Sequence, residues 1–300
     1  MKEFNFKKLD AFASANSAGN PAGYVRVDSF DDISDGEMQQ IALELKGFVN
    51  EVGYLAPAPG GEFCLKYYSA ECEVDFCGHA TIAIMYDLFK NDSGLQGLDT
   101  LSIRTNRGVL TVENRIDEQD AVFILAPEPY DKAILPDMDV LAENLGVSKG
   151  DIDTTMPVSI INAGLSTLIV PLKDMQAVLN ISPGLEKLKH FCIESGVDII
   201  EVFTGDVINK SNDYRVRVFA PTFGYIEDPA TGSGNSAFGY YLIKNGLWEK
   251  DFIIIEQNSL RDGYNIVKLR KQCGMDGKNR VLFGGGAIAR INGKYLLHNN

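Results

Sequence analysis

The chain has 300 residues, 45% hydrophobic and 23% charged, values that fit a soluble globular protein of about two domains and exclude disorder and coiled coil. Its formal net charge of −13, from 41 acidic and 28 basic residues with no Lys/Arg-rich stripe, argues against nucleic acid and anionic membrane as partners. No stretch approaches the ~18 apolar residues of a membrane span, and Met1–Lys8 has no leader-like apolar run, so a cytoplasmic location is expected.

In chain order, alternation and β-branched or aromatic content predict strands at Phe4–Ala13, Ala22–Asp28, Glu51–Ala56, Phe63–Tyr68, Leu101–Thr105, Gly108–Asn114 and Ala121–Leu125. Met38, Ile41, Ala42 and Leu45 recur at helical spacing and predict a helix over Ser34–Lys46. A second helix, Gly78–Asn91, is apolar nearly all round, which predicts burial on every side. Pro127–Met156 reads as a link with a short helix near Val140–Asn144. Beyond it come strands Pro157–Asn162 and Ser166–Pro171, a helix over Pro183–Ser195, and strands Asp198–Phe203 and Tyr214–Phe219. An apolar helix over Gly232–Asn245 and strands Phe252–Gln257, Asn265–Leu269 and Val281–Phe283 complete the series.

The order of elements is therefore repeated. A shift of about 154 positions places Gly78 on Gly232, His79 on Ser233, Ala83 on Ala237, Tyr86 on Tyr240 and Leu88 on Leu242. The pattern predicts an internally duplicated α+β fold of two halves, residues 1–130 and 131–300, with terminal strands free to cross over. Each half is expected to curl a sheet around its own apolar helix. Because strands come in runs, parallel βαβ units are disfavoured.

Candidate chemistry collects where the two apolar helices begin, at Cys77-Gly78-His79 and at Asp228 through Gly234. A helix N-terminus offers unbonded amides and a partial positive charge, and glycine lets a ligand approach the backbone. Two such ends suit an acidic substrate, against the ordinary alternative that Asp, Thr and Ser merely cap the helices. His79, one of three histidines, is a candidate acid or electrophile, and Ser233 occupies the equivalent repeat position. Alternation puts Val49, Glu51, Gly53 and Leu55 on one strand face, where desolvation would raise the Glu51 pKa into the range of a general acid/base. Asp228 reads either as a helix cap or as a second carboxylate. Cys64, Cys72, Cys77, Cys192 and Cys273 are too scattered for a disulfide framework and lack zinc-type pairs, so small buried thiols and no metal are expected.

Four blocks make the chain similar to the PhzF-like isomerases of phenazine biosynthesis, which share the diaminopimelate epimerase fold. They are Asp10-Ala11-Phe12 with Gly19-Asn20-Pro21-Ala22; Glu51; Glu73 through Thr81; and Arg217–Gly224 with Glu227–Ser233. The resemblance implies a duplicated fold with its site in an interdomain cleft, a homodimer, and neither metal nor organic cofactor. It implies Glu51 as acid/base, with His79, Asp228 and Ser233 assisting, and Asn20, Asp75, Gly78 and Gly232 as substrate-binding positions. The implied reaction is a proton-transfer isomerisation of a small carboxylated metabolite. Val52-Gly53-Tyr54, Ser69-Ala70, Gly234-Asn235 and Arg261–Tyr264 depart from the family pattern and leave the substrate open. With Cys77 at one helix start and no cysteine at the other, a two-thiol racemase is disfavoured.

Two rivals remain at this stage. A non-catalytic small-molecule binder would share the fold but tolerate replacement of Glu51. An NAD-type oxidoreductase is suggested by Gly232-Ser233-Gly234-Asn235-Ser236-Ala237 and the acidic Glu256 at a strand end, although no strand leads directly into these glycines.

Overall fold

Phe4, Phe6 and Leu9 point inward from strand Lys2–Ala11, which ends where Phe12 takes a φ of 60°. The computed structural model describes residues 1–132 and 134–298. The chain divides into two units, one of Met1–Ser14, Ala18–Leu125 and Gly284–Asn300, the other of Ala15–Ser17 and Ala126–Phe283.

In the first unit, Lys2–Ala11 pairs antiparallel with Asn20–Arg26 and with the C-terminal strand Ala287–Leu297. Asn20–Arg26 then runs parallel to Glu51–Pro57, joined by helix Asp35–Glu44. Ser34 and Glu37 close a capping box at the start of that helix, and its Met38, Ile41 and Ala42 pack against Val52 and Tyr54. Glu51–Pro57 is antiparallel to Phe63–Ser69, which is parallel to Thr100–Thr105 across helix Gly78–Asn91. Gly108–Arg115 and Ala121–Leu125 extend the sheet antiparallel. Every residue from Ala80 to Phe89 is buried, because the sheet curls around this helix and meets it through strands from both ends of the unit. Each of Ile82, Ile84, Leu88 and Phe89 contributes roughly 1.5–3 kcal/mol by leaving water.

The second unit repeats these pairings in order. Ser159–Asn162 is antiparallel to Ser166–Pro171, which is parallel to Ile199–Thr204. Ile199–Thr204 is antiparallel to Tyr214–Phe219, which is parallel to Phe252–Gln257, itself antiparallel to Asn265–Cys273. Helix Gly232–Lys244 is the counterpart of Gly78–Asn91 and is likewise buried over most of its length. Helices Met138–Leu145 and Leu185–Ser195 cover the opposite sheet face through Leu141, Leu145, Leu188 and Phe191.

Several expectations change. Each unit contains two parallel pairs bridged by helix, which the runs of strands concealed because every parallel strand is also half of an antiparallel pair. The stretch Pro127–Met156 is no bare link: Tyr130–Lys132 pairs with Ser159–Asn162, and Met138–Leu145 enters the second unit's core. Strand Ala287–Leu297 and the short elements Glu73–Val74, Met175–Leu179 and Glu227–Asp228 were not anticipated. Among the described residues no helix is long and apolar enough to cross a membrane.

Candidate active site

The start of helix Gly78–Asn91 is built to present Cys77 without using it as a cap. Cys77 occupies the N-cap position in extended conformation, and its side chain makes no cap hydrogen bond to the helix. Its carbonyl instead accepts a 2.6 Å hydrogen bond from Thr81 Oγ1, whose oxygen lies 2.6 Å from the buried Tyr67 hydroxyl. The thiol, thus fixed, faces Glu51 and His79: Sγ donates to Glu51 Oε2 at 3.8 Å and lies 3.4 Å from His79 Nδ1. His79 Nε2 closes the triangle 3.3 Å from Glu51 Oε2.

Glu51 is the first residue of its strand, held between Ala22 and Ser69. Asn50, just before it, donates to Asn20 Oδ1 at 2.8 Å and to Pro21 O at 3.1 Å. Two residues on, a Cβ at Gly53 would overlap Ile84 Cδ1, so the glycine is what lets this strand lie directly on the buried helix. The Glu51 side chain keeps 24% of its surface and that of His79 keeps 12%. Burial pushes the Glu51 carboxyl from 4.5 up to about 7, opposed in part by the Cys77 hydrogen bond. A carboxyl so poised can accept and return a proton at neutral pH. The Glu51, Cys77 and His79 donor atoms all lie within 4.8 Å of one another, a spacing that could also hold a metal ion.

The second helix start is also uncapped. Thr231 is its N-cap, yet the hydroxyl donates to Asp228 Oδ2 at 2.6 Å rather than accepting from the helix. Gln257 locks this turn: its Oε1 accepts from Thr231 N at 3.1 Å and Asn235 Nδ2 at 2.7 Å, while its Nε2 donates to Asp228 O at 3.0 Å. Helices Asp35–Glu44, Met138–Leu145 and Met175–Leu179 carry side-chain caps from Ser34, Asp137 and Asp174, whereas Ile116–Gln119 and Leu185–Ser195, behind Arg115 and Gly184, carry none. Neither N-cap residue, Cys77 or Thr231, thus caps its helix with its side chain.

Of the residues singled out in the sequence, Glu51 and His79 come together beside Gly78 in the first unit. There Asn20 is buried and tied to Asn50, and Asp75 is exposed on the turn before the helix. Asp228, Gly232 and the half-buried Ser233 belong to the second unit. Val49 does not share the Glu51 face; the strand begins at Glu51, and Val49 packs with Val52 in the core beneath helix Asp35–Glu44. Cys77 is buried, as expected of a small thiol, but it also faces Glu51 and His79. Its place two residues before His79, at a glycine-marked helix start, was the available signal. Cys72 and Cys273 are exposed rather than buried. Gln257 was missed because an amide in a strand carries no motif. Glu256 is wholly buried and accepts from Ile208 N, Asn209 N and Asn212 Nδ2, so it is not available to a nucleotide ribose as the oxidoreductase reading required.

The family model for phenazine biosynthesis-like proteins (PhzC-PhzF) matches residues 9–293. A Bacillus subtilis protein named uncharacterized isomerase YfhB is 33% identical over 261 residues, 86% of this chain and 87% of that one. The trans-2,3-dihydro-3-hydroxyanthranilate isomerase of Pseudomonas fluorescens is 28% identical, over 82% of each chain. The crystal structure of a Bacillus anthracis phenazine biosynthesis protein of the PhzF family shares the fold, with a TM-score of 0.87 at 24% identity over 99% of this chain and 100% of that one. An α+β fold with a curled sheet around each buried helix and a match over nearly the whole length lead to one assignment: the chain is an isomerase of the phenazine biosynthesis-like (PhzC-PhzF) family.

Proposed function

We propose that the chain is a cofactor-independent isomerase that moves a proton on a small carboxylated metabolite, with Glu51 as the acid/base. The observation that carries this reading is the Glu51 carboxyl, poised at about 7 between the Cys77 thiol and the His79 ring. In the reaction, the Glu51 carboxylate removes a proton from a carbon next to a conjugated double bond. The released electron pair shifts along the conjugated system, and the new Glu51 carboxylic acid returns the proton at its far end. Atoms and electrons balance without an oxidant. His79 orients the carboxylate through the 3.3 Å contact.

The proposed roles elsewhere are supporting ones. Asp228 and Ser233 position the substrate, with Asn20, Asp75, Gly78 and Gly232 contributing to its binding; the uncapped amides at both helix starts suit a substrate carboxylate. A cytoplasmic homodimer is part of the same proposal. The test follows trans-2,3-dihydro-3-hydroxyanthranilate, the substrate named for the Pseudomonas relative, by proton NMR in heavy water. Wild-type protein is expected to isomerise it with solvent deuterium entering the product, and Glu51→Gln to lose at least 10²-fold in kcat, the contribution typical of general acid–base catalysis. Undiminished turnover by Glu51→Gln refutes the assignment.

A further inference from the structure

A second carboxyl, outside the Glu51 cluster, is sealed in the core of the other unit. Glu201 stands in strand Ile199–Thr204, in register with Ile169 on one side and Val218 on the other. On the same strand face Phe203 packs against Phe238 and Tyr241, with ring centroids 4.6 and 5.4 Å apart, so this face meets helix Gly232–Lys244. Gly234, one turn before Phe238, sits on the carboxyl: a Cβ there would lie 2.8 Å from Glu201 Oε2. Glu201 is 0% exposed and, among the described residues, neither of its oxygens has a hydrogen-bond partner. An apolar residue of similar volume is often the more stable occupant of such a place, so core stability does not account for the acid.

The charged groups of the elements packed against it are turned elsewhere. Residues Gly232 to Asn235 and strand Ser166–Pro171 carry none. Arg217 engages Glu227 and the carbonyls of Val178 and Ile181, and Arg215 engages Glu256 and Asn258 O. Asp198 accepts from Ser166 N, and Asp228, across Val218, accepts from Thr231 Oγ1. Burial alone holds the Glu201 carboxyl well above the usual carboxylate range.

We propose that Glu201 is a positioning residue that sets the pH range over which the Ser233 and Gly234 amides accept a substrate anion. Protonated, it leaves the positive end of the helix free; ionised, it fills that end with its own charge and repels the anion. This rests on the reading that a substrate carboxylate meets this helix start.

The probe is benzoate, a carboxylate that cannot isomerise, titrated from pH 6 to 10 while the Ser233 and Gly234 amide shifts are followed by NMR. Glu51→Gln protein is used so that Glu51 does not titrate, with and without a second change, Glu201→Gln, which keeps the shape of a neutral acid. Affinity is expected to fall with pH in the single variant, approaching roughly tenfold per pH unit, and to stay level in the double variant. The ligand-free Gly234 amide should inflect at the same pH in the single variant only. Should the double variant not fold, that inflection decides, and its absence up to pH 10 overturns the proposal. Benzoate binding with the same pH dependence in both proteins overturns the role of Glu201 and leaves the anion site standing. Benzoate that shifts neither amide at pH 6 removes the anion site and the proposal with it.

Discussion

Replacing Glu51 by Gln tests the burial argument without any substrate. In the folded protein the Glu51 carboxyl titrates at about 7, whereas in the unfolded chain it titrates near 4.5. Between those two values the folded state retains a proton that the unfolded state has released. Stability from this group is therefore fully present below about pH 4.5, falls as pH rises, and is gone above about pH 7. At 1.36 kcal/mol per tenfold, the interval amounts to about 3 kcal/mol, an upper figure because the side chain keeps 24% of its surface. Glutamine cannot titrate. Urea unfolding of wild type and Glu51→Gln at steps from pH 4.5 to 8 should give two curves whose separation changes by about that amount, the variant gaining on the wild type as pH rises. Asp35, Glu37, Glu44 and Asp153, whose carboxyls are lowered by hydrogen bonds, titrate alike in both proteins and drop out of the difference. Parallel curves would show that Glu51 is solvated, and the acid/base reading would lose its physical basis.

Two further substitutions test the scaffold around that carboxyl. Thr81→Val removes the hydroxyl that bonds Cys77 O and leaves the Tyr67 hydroxyl buried without its partner; a loss of about 1–3 kcal/mol is expected in urea unfolding, and an unchanged midpoint contradicts it. Gly53→Ala drives a methyl into Ile84 Cδ1 and should cost about 1–3 kcal/mol, part of which Ile84→Val in the same chain restores; equal stability of the single and double variants refutes the clash.

What was legible in the sequence was what depends on side-chain pattern over a dozen residues. Helix Gly78–Asn91 keeps both its predicted limits because apolar residues recur on nearly every face of it and Gly78 marks its start. Strand Ala287–Leu297 escaped because Asn292-Gly293 in its middle reads as a turn and most of its side chains are exposed, so no alternation records it. Its place is set by backbone pairing along almost the whole of Lys2–Ala11. At the site, a carboxylate at a strand start and a histidine at a helix start were readable as residue types. The role of the Cys77 thiol was not, since it depends on Thr81 and Tyr67 fixing a carbonyl. Glu201 was invisible for the same reason: within Asp198–Phe203 an acid at an inward position looks like any break in alternation, and only the chain above it shows that it is sealed.

The pairing registers bring the two acids into one argument. Glu51 is paired with Ala22, and Ile199 with Thr167, at equivalent places in the repeated order of strands. Two residues further, the row Gly53, Tyr67, Val74 in the first unit corresponds to Glu201, Val218, Asp228 in the second. Val74 and Asp228 each stand four residues before the glycine that opens a buried helix. The fold has thus put its acids at different steps of the same ladder. At the strand start the side chain reaches solvent and a thiol; two steps in, it lies under the helix and reaches neither. The counterpart of Glu51 is the apolar Ile199, and the counterpart of the Cys77 thiol is the Thr231 hydroxyl, already committed to Asp228. Two opposed and matched bases, as stereochemical inversion at one carbon uses, find no support in this distribution. The proposed reaction, in which one base takes a proton from one carbon and delivers it to another, asks only for a group of the kind Glu51 offers, and this asymmetry fits that proposal better than one of racemisation.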